Sequence, residues 1–247
     1  MVLSSESRAV VDNPFSAHRI RPGEIPYLFT HEDEATDPTR LDSLVDAWQT
    51  NGYVGQIVGA HGCGKTTLAC AIAKRAMENP RHGFVSATLV TIRAKALLRS
   101  SSRWLWLPRL LRLRSIEVSA GEAIFPAGSN ETNATRSTKS ILVIDGIERL
   151  TLSQQAAAIH SAKRQQVPII LTTHRISRRL QMFGNAWPVL FRANSDIQVF
   201  SKIVSLMTET CEPIDQVVVE EAFRFCHGNV REALMKLYDA YEAGSSC

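Results

Sequence analysis

The residues best suited to chemistry stand together at Gly59-Ala60-His61-Gly62-Cys63-Gly64-Lys65-Thr66, a match to G-x-x-x-x-G-K-[ST]. Each part of that pattern has a physical task in holding a triphosphate. Gly59, Gly62 and Gly64 let the backbone wrap closely around phosphate oxygens with its N–H groups pointing inward. Lys65 sets a positive charge against the β- and γ-phosphates, and the Thr66 hydroxyl suits Mg2+. A helix beginning here adds its positive N-terminal end to the anion site. Contacts to a nucleotide are therefore expected from Gly59, Gly62, Cys63, Gly64, Lys65, Thr66 and Thr67. Cys63 has two readings. It is either a redox-sensitive thiol, because a helix N-terminus lowers a thiol's pKa, or one of the variable positions of the pattern.

Two further apolar runs end in polar groups. Ile141-Leu142-Val143-Ile144-Asp145 reads as a buried strand that carries Asp145 to its tip, where the carboxylate can help hold Mg2+ beside Thr66. Gly146 comes next, and the nearest carboxylate beyond it is Glu148. Glu148 is a candidate general base or water-orienting residue; the alternative is a surface glutamate paired with Arg149. The second run, Val167-Pro168-Ile169-Ile170-Leu171, ends in Thr172-Thr173-His174-Arg175. Strand C-termini border the ligand crevice of a parallel sheet, so Thr173, His174 and Arg175 are candidates for sensing the γ-phosphate. Arg175, Arg178 and Arg179 are candidates for stabilising charge there, in this subunit or a neighbour's.

The elements that must position these groups are read from periodicity. Leu41, Leu44, Val45 and Trp48 have helical spacing, and Gly52 ends that helix. A strand is expected over 53–58, a helix over 67–77 and a strand over 84–92. Beyond Asp145, a helix over 152–165 is opened by Thr151 with Gln154 three residues on, and a strand covers 167–173. Helices over 197–208, 215–226 and 230–242 close the chain, with Gly228 as a stop signal. The expected fold class is α/β, a parallel β-sheet flanked by helices plus a small C-terminal helical lid. In domain terms, 1–40 is irregular, 41–195 is the phosphate-loop core and 196–247 is the lid. Inside the core lie a basic segment, 93–115, and a Ser/Thr/Asn/Gly-rich insertion, 119–139, expected to be a flexible surface loop.

Composition removes several classes. None of the 247 residues belongs to an apolar run of eighteen or more, so no membrane-spanning helix is expected. The first residues lack the charged and apolar regions of a signal peptide. The cysteines at 63, 70, 211, 226 and 247 show no C-x-x-C spacing, which argues against zinc and disulfides and for the cytoplasm. Between Glu78 and Glu117 there is no acidic residue, whereas Arg81, Arg93, Lys95, Arg99, Arg103, Arg109, Arg112 and Arg114 are basic. The whole chain carries only +4, so the rest of it is net acidic. The stretch 103–114 mixes its arginines with Trp104, Trp106 and five leucines. It admits three readings: an anionic membrane surface, nucleic-acid phosphates and bases, or leucines packed on the sheet with arginines in water.

The phosphate loop, the strand ending in Asp145, the strand ending Leu171-Thr172-Thr173-His174-Arg175 and the tail resemble the AAA+ and STAND groups of P-loop ATPases. In that resemblance residues 59–66 are Walker A, 141–145 are Walker B and 171–175 are the sensor-1 strand. The tail run Gly228-Asn229-Val230-Arg231-Glu232-Ala233-Leu234 is similar to the sensor-2 helix, which implies that Arg231 reaches the nucleotide phosphates. Asn13-Pro14-Phe15 and Arg21-Pro22-Gly23-Glu24-Ile25-Pro26 resemble planctomycete-type bacterial ATPases, and the AAA+ resemblance implies that this segment, which precedes Walker A, borders the adenine. The resemblance as a whole implies a Mg2+-dependent ATP hydrolase, working as a nucleotide-dependent switch or remodelling factor on an unidentified protein partner, with homo-oligomers open. The Asp-Glu pair usual in the family is Asp145-Gly146-Ile147-Glu148 here, a departure that bears on hydrolysis rate, and no arginine-finger motif stands out. Two alternatives share the loop: a small-molecule or nucleotide kinase, and an ATP-dependent DNA-binding or loader module.

Overall fold

The computed structural model describes residues 13–17, 19–22, 24–30, 37–92, 139–152, 154–156, 160, 164, 166–176, 187–209, 211 and 214–243. The basic segment 93–115, nearly all of the insertion 119–139, the candidates Arg178 and Arg179, and Cys247 lie outside the described residues. Helix α1 (Asp37–Thr50) leads into β1 (Val54–Gly59), α2 (Lys65–Glu78), β2 (Phe84–Thr91) and β3 (Lys139–Asp145). A 3-10 turn (Ile147–Arg149), β4 (Ile169–Thr173) and β5 (Val189–Ala193) complete the core. Helices α3 (Ile197–Met207), α4 (Gln216–Phe225) and α5 (Val230–Glu242) come after it.

All five strands run parallel, in the order β2-β3-β4-β1-β5. Parallel sheets are covered on both faces, and alternate residues divide between the two covers. Ile57, Ile141, Val143 and Ile170 pack with Trp48 of α1 and Leu68 of α2. Leu142, Ile144, Ile169 and Leu171 face the other way, toward Ile147 and Trp187. That two-sided burial is why β3 and β4 read as unbroken apolar runs. Trp48 is fully buried, and its indole nitrogen donates to the Ile169 carbonyl at 3.1 Å. At the surface Arg75 clasps both oxygens of Asp42, at 2.7 and 2.8 Å, joining α2 to α1.

Several boundaries shift for local reasons. Tyr53 has a φ of 61°, outside the strand region, so β1 starts at Val54. Helix α2 begins at Lys65, because the left-handed Gly64 turns the chain directly into it. The expected cap is present: Gln154 Oε1 accepts from the Thr151 N–H at 2.9 Å, and the Thr151 hydroxyl accepts from the Gln154 N–H at 3.4 Å. Residues 152, 154–156, 160 and 164 are helical. Strand β5 was not among the expected elements. It is a short edge strand whose residues, Ala193 apart, are exposed or half-exposed, and Gly55 leaves the room in which Leu190 packs over β1. No helix among the described residues is long and apolar enough to cross a membrane.

The three C-terminal helices hold a hydrophobic cluster of their own, around Phe200, Val204, Val219, Phe223, Leu234 and Leu237. Asp196, Asp215 and Asn229 cap their N-termini through side-chain oxygens. Gly228, at φ +79°, ends α4 with its N–H donating to the Phe223 carbonyl at 3.0 Å.

The irregular N-terminal segment joins the two clusters. Asn13 Nδ2 donates to the Tyr238 carbonyl at 3.2 Å and to Glu242 Oε1 at 2.9 Å, both on α5. Phe15 is buried among the C-terminal helices, with Ile20, Ile25 and Leu28 packed beside it. Tyr27 instead enters the sheet-side cluster, as does Phe29, which meets Phe191 of β5 edge-on at 5.4 Å. Arg40 of α1 stacks over the Phe29 ring at 4.7 Å.

Candidate functional site

Because every strand is parallel, the C-terminal ends of β1, β3, β4 and β5 share one edge of the sheet. The phosphate loop leaves β1 at Gly59 and turns into α2 through two left-handed glycines, Gly62 at φ +72° and Gly64 at φ +78°. Both glycines are also sites of close approach. A Cβ on Gly62 would overlap the Asn229 side-chain oxygen at the start of α5, and one on Gly64 would lie 3.1 Å from the Tyr27 ring. Gly59 is crowded in the same way by the Ala193 carbonyl and Cys63 Sγ. The loop is thus enclosed by β5, by the N-terminal segment and by the first turn of α5. Ser195, just past β5, is tied to the start of α5 by donating to the Gly228 carbonyl at 2.9 Å.

Lys65 is buried in this enclosure. Its ammonium donates to the Ala60 carbonyl and lies 3.3 Å from His174 Nδ1. Thr66 and Thr67, on the first turn of α2, are half-buried. The register of β3 against β4 pairs Asp145 with Thr172, whose hydroxyl donates to Asp145 Oδ1. Asp145 continues the alternation of Ile141 and Val143 on the face covered by α2, so its carboxylate belongs to the side on which α2 begins with Lys65 and Thr66. It also reaches into that layer electrically: burial first, and then Asp145, push the Cys70 thiol up to about 12.

Thr173 takes the opposite parity. It is buried, and its hydroxyl donates to the Arg175 carbonyl at 3.0 Å, so the structure does not bring it to Asp145 or Lys65. The residue of this strand end that meets the loop is His174. Its Nε2 lies 3.0 Å from Glu148 Oε1, and its Nδ1 is 3.3 Å from the Gly59 carbonyl. Its ring sits 3.5 Å from that of His61, centre to centre. Burial first, then Lys65, lower the pKa of His174; Glu148 opposes them and His61 adds to them. Glu148 gets there because Gly146, at φ +82°, swings the chain after β3 into the 3-10 turn. Its second oxygen, Oε2, is buried with no hydrogen-bond partner among the described residues. A buried carboxylate oxygen left unpaired is costly, and it can accept from a water or a ligand hydroxyl. Glu148 therefore pairs with His174, the residue that meets the loop.

Arg231 stands on the first turn of α5, two residues after the Asn229 that touches Gly62, and its side chain is exposed. Neither Thr172 nor the Glu148–His174 contact was expected from the sequence. The alternation along each strand carries a signal for Thr172, but only once the inter-strand register is known.

A phosphate-loop α/β core with a helical appendage at the strand C-termini is the class of molecule that this geometry defines. Residues 56–184 match the family described as "ATPase family associated with various cellular activities (AAA)", more than half of the sequence, and the chain belongs to that family. Its fold is similar to that of the Aeropyrum pernix ORC1 protein solved in complex with DNA. That match is 17% identical, covers 91% of this chain and 63% of the other, and has a TM-score of 0.56. The ADP form of the Aeropyrum pernix ORC2 protein matches at 15% identity, 94% and 67% coverage, and a TM-score of 0.57. Cdc6p from Pyrobaculum aerophilum matches at 13% identity, 95% and 67% coverage, and a TM-score of 0.52. Such low identities carry the fold alone, and the chain spans only 63% of the length of the first of these. No curated protein sequence matches.

Cys63 resolves toward the inert reading. It is buried, its thiol lies 3.1 Å from the Ala60 carbonyl, and burial pushes its pKa up despite the nearby Lys65. Inert thiols result from low thiolate content and poor access. In the native protein Cys63 is expected to resist alkylation near pH 8 and to react after denaturation, as read by peptide mass mapping. Rapid native labelling of Cys63 would contradict this.

Proposed function

We propose that this chain is a Mg2+-dependent ATP-binding protein and ATP hydrolase of AAA+ type, in which the C-terminal helices respond to the nucleotide. The observation that carries the reading is that a carboxylate, Glu148, converges on the phosphate loop although Gly146 holds the place where the family usually has one. Glu148 contacts His174, His174 contacts Lys65, and Glu148 Oε2 is buried and, among the described residues, unpaired. A catalytic carboxylate needs an open acceptor within reach of the water it orients, and Glu148 offers one.

The other roles rest on the chemistry of the donors. Backbone N–H groups over 59–67 would surround the phosphates, with the positive end of the 14-residue helix α2 behind them. Lys65 would neutralise β- and γ-phosphate charge. Thr66 and Asp145 would hold Mg2+, which neutralises charge building on the phosphate oxygens during transfer. Thr172 fixes the Asp145 carboxylate by hydrogen bonding, and Thr173 braces the strand end through Arg175. Arg231, adjoining the loop through Asn229, would reach the phosphates when the helices of 196–247 shift against the core of 41–195. Such a shift is a nucleotide-dependent switch. The exposed Val217, Phe225 and Met235 on α4 and α5 support a protein partner that reads it. In this reading Tyr27, packed against Gly64, carries the N-terminal segment past the site, consistent with a place beside the nucleobase.

Two substitutions test the assignment, with ATP as sole substrate. Lys65→Ala is expected to abolish ATP binding measured by calorimetry. Glu148→Gln is expected to retain binding while hydrolysis falls by roughly 10²-fold or more, the usual scale for losing a general base. Wild-type binding by the first variant, or wild-type turnover by the second, contradicts the corresponding role. Phosphate transfer only when a second substrate is supplied would favour a kinase.

A further inference from the structure

We propose that His174 takes up a proton from solvent when a nucleoside triphosphate binds, so that the triphosphate affinity of this chain rises as pH falls through neutrality. This rests on the triphosphate-binding reading above and adds a regulation to it.

The hydrogen-bond acceptors around the ring decide where its protons can sit. His174 Nε2 faces Glu148 Oε1 at 3.0 Å, so that nitrogen carries a proton in either charge state. Its Nδ1 faces two groups with opposite demands. The Gly59 carbonyl, at 3.3 Å, accepts only from a protonated Nδ1. The Lys65 ammonium, also at 3.3 Å, donates only to an unprotonated Nδ1 and repels a charged ring. An imidazolium at this position therefore already has an acceptor for each of its protons. What holds the ring neutral is burial, Lys65, and the His61 ring at 3.5 Å.

Among the described residues, the charged and titratable groups that act on His174 stand on three elements. The phosphate loop presents His61, α2 presents Lys65 and the 3-10 turn presents Glu148, the one of the three that favours the charged ring. Asn229, at the start of α5 against Gly62, is neutral. A triphosphate changes the balance in two ways together. It draws the Lys65 ammonium toward its own oxygens, and it places several negative charges beside both imidazoles. Nδ1 can then take a proton and donate it to the Gly59 carbonyl.

Linkage fixes the sign. In the free protein the His174 pKa is lowered from its ordinary value, so the ring is neutral at pH 7. The bound anion raises it. Between the free and bound values, binding absorbs protons and affinity weakens with rising pH, by up to about tenfold per pH unit for one full proton.

Calorimetric titration of the full chain with Mg2+ and a non-hydrolysable ATP analogue, near pH 7 in buffers of different ionisation enthalpy, counts the protons directly. The γ-phosphate's own titration contributes equally to wild type and variant. Wild type is expected to absorb more protons per bound nucleotide than His174→Asn, by a difference approaching one. Binding with equal proton counts in the two proteins overturns the proposal and leaves triphosphate binding intact. If the variant binds too weakly to titrate, the wild-type dissociation constant between pH 6 and 8 decides. Affinity that does not weaken with rising pH, once the analogue's own ionisation is allowed for, overturns the proposal. Absence of any wild-type binding overturns it too, together with the reading beneath it.

Discussion

At Gly62 two parts of the molecule compete for the same space, and the rest of the arrangement depends on how that is settled. The residue needs a φ of +72° to turn the phosphate loop inward, and a Cβ there would overlap the Asn229 side-chain oxygen where α5 begins. Only glycine meets both demands. The same Asn229 oxygen accepts from the Glu232 N–H at 3.3 Å, so the group that starts the last helix is also the one that rests on the loop. A change in loop geometry and a change in helix placement are therefore not independent. The N-terminal segment closes the circuit, with Asn13 and Phe15 held by the C-terminal helices and Tyr27 held against Gly64.

Within the sheet, parity does the selecting. Asp145 and Thr172 share the α2 face because they continue the alternation of Ile141, Val143 and Ile170. Thr173 continues that of Ile169 and Leu171, and turns away. Beyond the strand, the chain is free of that alternation, and His174 returns to the loop between Lys65 and Glu148. Gly146 has the matching task after β3. By taking the place of the carboxylate usual in the family, and adopting φ +82°, it lets a carboxylate two residues later come back to the site.

The phosphate loop, the apolar strands β3 and β4 and the three closing helices were all legible in the sequence, because each rests on a local pattern. Burial on both faces writes β3 and β4 as solid apolar runs, and the spacing of Val219, Ala222 and Phe223 writes α4 as an amphipathic helix. Strand β5 was not legible. Five residues after a proline, all but the last exposed or half-exposed, carry no period to detect. Nor was the choice of Thr172 over Thr173, since register between strands is set by packing and is absent from either strand's own sequence. The Glu148–His174 pair joins residues far apart in the chain through two turns, the first of which depends on the single φ of Gly146. The N-terminal segment has no periodicity at all, and its binding to both clusters emerges only from three-dimensional contacts.

Hydrogen exchange of backbone amides with and without ATP and Mg2+ tests most directly whether loop and closing helix form one site, since protection reports local opening segment by segment. If they do, amides over 59–66 and at the first turn of α5 gain protection together on binding, and Lys65→Ala abolishes both gains. Protection confined to the loop, with the start of α5 unchanged, or protection that appears only elsewhere in the chain, would contradict it.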